Sequence, residues 1–142
     1  MGNNYIFVQF KSCPENEKMA RQIIAHFVAD LNPTIDELCD IKTAVSEAVT
    51  NAIVHGYKNR CGVIYLNAEI IENELTVEIT DKGCGISNIE EARQPLFTSQ
   101  PEMERSGMGF TVMETFMDSL DVVSNVGAGT KIIMRKMIGN YE

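Results

Sequence analysis

At 142 residues the chain is long enough for one domain with its own core, and a hydrophobic fraction of 44% separates it from disordered sequences. A formal net charge of -8 argues against a nucleic-acid backbone as the main partner, since such binding rests on Lys and Arg neutralising phosphates. No basic leader, no apolar stretch of signal length and no run near the roughly 18 apolar residues of a membrane span occurs, so a cytoplasmic protein with protein partners and no membrane is expected.

The first element is a strand over Tyr5 to Lys11, apolar on both faces and so fitted to either the edge or the centre of a sheet. Pro14 opens a helix with Met19, Ile23, Ile24, Phe27, Val28 and Leu31 at helical spacing, ending near Asn32-Pro33. Thr34 caps a second helix, with Glu37 completing a capping box. Val63 to Ile71 and Leu75 to Thr80 read as a hairpin around Glu72-Asn73-Glu74, its second strand alternating as a half-covered antiparallel sheet requires. From Ile86 to Arg105 the periodicity breaks down, which predicts either a disordered insert or a functional lid. Order returns with a short helix over Met108 to Met117 and a second hairpin, Leu120 to Val126 and Thr130 to Met137, joined by Gly127-Ala128-Gly129. Strands clustered in hairpins, with helices to cover one face, predict a two-layer α/β sandwich with a mixed, mostly antiparallel sheet in a single domain over 1–142. Cys13, Cys39, Cys61 and Cys84 form no C-x-x-C pair and stand at no ligand-like spacing to His26 or His55, so reduced thiols and no zinc site are expected.

On the second helix Leu38, Ile41, Val45, Ala48, Val49, Ala52 and Ile53 form one apolar sector, and Glu47, Asn51 and His55 line a stripe beside it. The stripe reads either as a solvated face or as a site. Asn51 favours the site, because Asn in a helix interior costs up to about 0.7 kcal/mol relative to Ala. Its carboxamide oxygen suits magnesium, and Glu47 one turn away can accept a proton from an attacking hydroxyl. Asp81-Lys82-Gly83-Cys84-Gly85 is either a plain turn at a strand end or a base pocket, in which Asp81 accepts from a purine amino group and Gly83 and Gly85 let the ligand approach the backbone. Arg105-Ser106-Gly107-Met108-Gly109-Phe110 places glycines before a helix, where free N–H groups and the helix dipole receive phosphate and Arg105 can reach a terminal one. A dinucleotide fingerprint does not fit there, because no strand leads into it and Val112 stands where the third glycine belongs; a Walker loop is absent. Gly127 to Thr130 reads as a hairpin turn or, through Thr130, as a further contact to the base.

In this fixed order E-x-x-x-N, D-x-G-x-G, G-x-G and G-x-G-T resemble the N box and glycine boxes of the ATP-binding fold shared by histidine kinases, gyrase-type ATPases, Hsp90 and mismatch-repair ATPases. The likeness spans about Asp36 to Met134. The segment Glu91 to Thr98, with Glu104 to Phe110, is most similar to the bacterial anti-sigma serine kinases of the sporulation branch, with a general-stress kinase of the same family as the alternative. The resemblance implies that Glu47 is the catalytic base and Asn51 the magnesium ligand. It implies that Asp81 and Thr130 bind adenine, and that Gly83 and Gly85 form one glycine box. Ser106, Gly107, Met108 and Gly109 make the other, Arg105 senses the terminal phosphate from an ATP lid at about 86–106, and Arg21 contacts protein partners. It further implies ATP/ADP and Mg2+ as cofactors, a sigma factor and an anti-anti-sigma antagonist as partners, and a homodimer. Two other classes compete: a module that holds nucleotide only as a structural or switching ligand, which does not require Glu47, and the ATPase part of a larger machine or histidine kinase, for which no transducer domain is seen.

Overall fold

The computed structural model describes residues 3–94 and 109–139. Five strands form one open sheet in the order β1-β2-β3-β5-β4, from β1 (Asn4–Lys11), β2 (Val63–Ile71), β3 (Glu74–Asp81), β4 (Ser119–Asn125) and β5 (Gly129–Met137). Helices α1 (Pro14–Phe27), α2 (Ile35–Asn51) and α4 (Gly109–Phe116) cover one face, and a single turn, α3 (Ile89–Ala92), precedes α4. The α/β sandwich is as expected. The sheet's parallel component is not found among the described residues, where every neighbouring pair is antiparallel. The reason lies in the second hairpin. The crossover from β3 brings β4 back in the same direction, but β5 folds between them and separates the two parallel strands. The strand β1, open to either place from its sequence, is an edge.

Alternation decides which side of each strand is buried. Ile64, Leu66, Ala68 and Ile70 of β2, Leu75, Val77 and Ile79 of β3, and Ile132 and Met134 of β5 point at the helices and are buried. Opposite them lie Ile24 of α1, Ile41, Ala44, Val45, Ala48 and Val49 of α2, and Phe110 and Met113 of α4. Helix α2 is the middle of this layer, with α1 on one flank and α4 on the other. The far face of the sheet carries Tyr5 and Phe7, Phe7 stacked on Tyr65 at 6.5 Å between ring centroids.

Both ends of α2 are built by local chemistry. At its start the Thr34 hydroxyl accepts from Glu37 N at 3.0 Å while Glu37 Oε1 accepts from Thr34 N at 2.9 Å, the reciprocal capping box. Past Asn51 the helix widens into a π-turn, Ala52–Gly56, closed by Tyr57 N to Ala52 O at 2.9 Å. Such widened turns are rare and concentrate at functional sites. Lys58 and Asn59 then take left-handed backbone, φ 55° and 62°, which turns the chain toward β2. Loss of the cap through Thr34→Ala is expected to cost about 1 kcal/mol and to lower the melting temperature by about 3–5 °C, with Thr34→Ser restoring most of it. A thermal melt checks this, and an unchanged midpoint would show that the box contributes nothing.

Candidate functional site

A cavity of about 240 Å3 opens between α2 and the strand ends, lined by Glu47, Asn51, His55, Lys58, Ile86 to Asn88 and Phe110 among others. Four-residue spacing puts Glu47, Asn51 and His55 one above the other along α2 and its π-turn, and the same geometry turns Ala48, Ala52 and Ile53 into the core. The stripe is therefore the wall of a cleft. Across from it stand Cys84 and Gly85, then Glu91 and Ala92 of α3, with Gly109 at the start of α4.

Behind this wall the end of β3 meets the π-turn at backbone distance. Asp81 is 3% exposed, and its carboxylate lies directly over Gly56, where a Cβ would stand 2.7 Å from the carboxyl carbon. Gly83 N donates to Asp81 Oδ1 at 2.8 Å, and Cys84 N donates to Gly56 O at 2.9 Å. A Cβ on Gly83 would fall 2.0 Å from Gly56 O, and one on Gly85 would fall 2.2 Å from Asn125 O. These two glycines are thus required first by chain against chain; Gly85 lines the cavity while Gly83 does not. Thr130 faces Asp81 across the β3–β5 ladder and is 4% exposed. Its hydroxyl lies 2.8 Å from Ser124 Oγ, which accepts from Ile86 N at 2.7 Å and donates to Gly129 O at 3.0 Å. Asp81 and Thr130 are buried behind the cleft and are not among the residues that line it.

Burial pushes the Asp81 carboxyl up to about 6 from an ordinary 3.8, against the pull of the Gly83 and Thr130 backbone N–H groups. Arg21 lies on α1 outside the cleft, with Nε 3.3 Å from Glu17 Oε2, and Ser46 donates to that same oxygen at 2.5 Å. Arg105, Ser106, Gly107 and Met108 lie outside the described residues, as does the expected lid beyond Gln94. What is described of that segment is fastened at both ends. Ile86 is held by Ser124, and Arg93 pairs with Glu114 of α4 and donates to Leu120 O at 3.4 Å. Ser124, Lys58 and Asn88 join the site only in the structure: Ser124 continues the inward alternation of Leu120 and Val122 along β4, while Lys58 and Asn88 stand in connecting segments without a periodic signal.

The donor set fits a magnesium ion that arrives with phosphates. Asn51 and Glu47 offer a carboxamide and a carboxylate on the α2 wall, Asn88 and Glu91 offer another of each, and among the described residues no group of three His, Cys, Asp or Glu makes a closed metal cage. Residues 10–136 match the family described as the histidine kinase-like ATPase domain. The chain is 58% identical to the anti-sigma F factor of Clostridium beijerinckii over 137 residues, 96% of each chain. It is 55% identical to that of Clostridium acetobutylicum over 142 residues, 100% of this chain and 99% of the relative. It is 54% identical to that of Caldanaerobacter subterraneus subsp. tengcongensis over 137 residues, 96% of each. The chain belongs to the histidine kinase-like ATPase family and, within it, to the anti-sigma F factors.

The raised carboxyl has a signed consequence. Between about 4 and 6 the folded chain keeps on Asp81 a proton that the unfolded chain has released, so this residue's contribution to stability is full below about pH 4 and is lost as the pH rises through 6. Thermal melts of wild type and Asp81→Asn across that window are expected to show the wild type losing ground to the variant as pH rises. Parallel curves would remove the titration from Asp81.

Proposed function

We propose that this chain is an anti-sigma factor and protein serine kinase. It binds a sigma-F-type sigma factor in its ATP state and phosphorylates a serine of an anti-anti-sigma antagonist with Mg-ATP, as a homodimer in the cytoplasm of a sporulating cell. The observation that carries the reading is the pairing of Glu47 and Asn51 on the cleft wall, in a chain 58% identical to a protein named anti-sigma F factor. A general-stress kinase is displaced because these relatives carry the anti-sigma F name.

In the proposed reaction the serine hydroxyl enters beside Glu47, which accepts its proton as the oxygen attacks the terminal phosphorus. The new bond is serine oxygen to phosphorus, the bond that breaks joins the terminal phosphorus to the bridging oxygen, and ADP leaves with that electron pair. Asn51 would hold the magnesium ion, whose chemistry is to offset phosphate charge. Asp81 accepts from the adenine amino group with Thr130 beside it, and guanine, with a carbonyl at that place, is refused. Ser106 to Gly109 offer backbone N–H groups to the phosphates, and Arg105 meets the outermost one. Only ATP has that group, so Arg105 gives the lid a means of telling ATP from ADP and of tying sigma binding to nucleotide state. Arg21, half-buried on α1 beside Glu17, is the proposed contact to protein partners.

Glu47→Gln is expected to bind ATP within about twofold of wild type while losing at least about a hundredfold in phosphotransfer to the antagonist. Labelled ATP with the antagonist reads the second quantity and calorimetry the first; retained phosphotransfer would remove Glu47 from the role of base. Pull-down of the sigma factor with ATP and with ADP tests the switch, and equal recovery in both would sink nucleotide control of the partner.

A further inference from the structure

The turn after β3 is steadied by a side chain that the proposed reaction does not use. Tyr57 follows the π-turn, and its ring lies against the chain where it returns at Gly62, so close that a Cβ there would stand 2.5 Å from a ring carbon. Its hydroxyl donates to Val63 O at 2.5 Å and accepts from Lys82 N at 2.8 Å. In the hairpin register Ile64 faces Asp81, which makes Val63 and Lys82 the next pair. The phenol oxygen therefore occupies the next rung of the ladder, joined to the carbonyl of one residue and the amide of the other, and direct pairing stops at Asp81. Burial raises the phenol above its ordinary range, which keeps it protonated and able to donate at neutral pH.

Three bonds then fix three consecutive amides: Lys82 N to Tyr57 Oη, Gly83 N to Asp81 Oδ1, and Cys84 N to Gly56 O. Two of these accept onto Gly56 and Tyr57, neighbours in the sequence, so the direction in which Asp81 faces is set by the chain just past α2. The third lies within the turn itself. Only the tyrosine bond can be removed without touching the backbone or the carboxylate.

We infer that Tyr57 is a positioning residue for base recognition, its hydroxyl wedged between β2 and β3 so that Asp81 and the turn behind it are aimed at the edge of the base. The inference rests on the assignment of Asp81 to adenine. Tyr57→Phe keeps the ring over Gly62 and removes the wedge alone. Calorimetric titration of wild type and variant with ATP and with inosine triphosphate, which has a carbonyl where adenine has its amino group, separates the two claims. A wild type without preference for ATP sinks the role of Asp81, and that of Tyr57 with it. Given that preference, the variant is expected to lose about fivefold in ATP affinity with inosine triphosphate nearly unchanged, so that the ratio narrows by the same factor. Equal losses for both nucleotides, or none, overturn the inference, since a merely structural tyrosine would leave the ratio alone. A variant that does not fold overturns it too, because the wedge aims a turn and does not hold the core.

Discussion

The close approach of the π-turn to the end of β3 is the constraint on which the rest of the site depends. Gly56 lies flat under the Asp81 carboxylate, and the next turn of β3 lies on Gly56 O. A side chain at Gly56 or Gly83 would push these two pieces of chain apart, and with them the cleft wall and the buried carboxylate behind it. The same closeness takes water from the carboxylate, which raises its pKa and leaves it two backbone N–H groups as partners. A buried acceptor of this kind costs stability unless its hydrogen bonds are filled, and it rejects a ligand that brings an acceptor to meet it. In the role proposed for Asp81, selectivity for an amino group rests on this burial.

Helix α2 carries the architecture and the chemistry on adjoining faces. Its alanines and β-branched residues fill the centre of the helical layer, and flanking α1 and α4 fix its rotation about its own axis. That rotation decides where Glu47 and Asn51 stand, so the precision of the site is inherited from the packing of the core. The segment after Ile86 is placed by different means. Ser124 holds its beginning to the β4–β5 hairpin, and Arg93 holds its next anchor to α4. Movement of α4 or of that hairpin would thus be felt at once by the segment proposed to sense the terminal phosphate.

Much of the fold could be read along the chain because the interactions responsible are local or periodic. The capping box at Thr34, the alternation in β3 and the 3.6-residue apolar sector of α2 each announce their element within a few residues. The edge position of β1 could not be read, since both its faces are apolar and nothing local says how many neighbours it has. Nor could the lack of a parallel pair, which arises because β5 folds back between β3 and β4. The site shows the same division. Glu47, Asn51 and Asp81 stood out through residue type and spacing, while Ser124 and Tyr57 act through partners 38 and 25 residues away.

The element types, the order of the polar motifs and the family to which they belong are legible along the chain, because periodicity, capping and short spacings act within a few turns. Only the packed structure shows that Gly83 and Gly85 are needed for contact between chain segments, that Asp81 and Thr130 lie buried side by side behind the cleft, and that a tyrosine hydroxyl takes the last rung of a ladder. Those facts depend on distances between segments far apart in sequence, and such distances exist only once the core has packed.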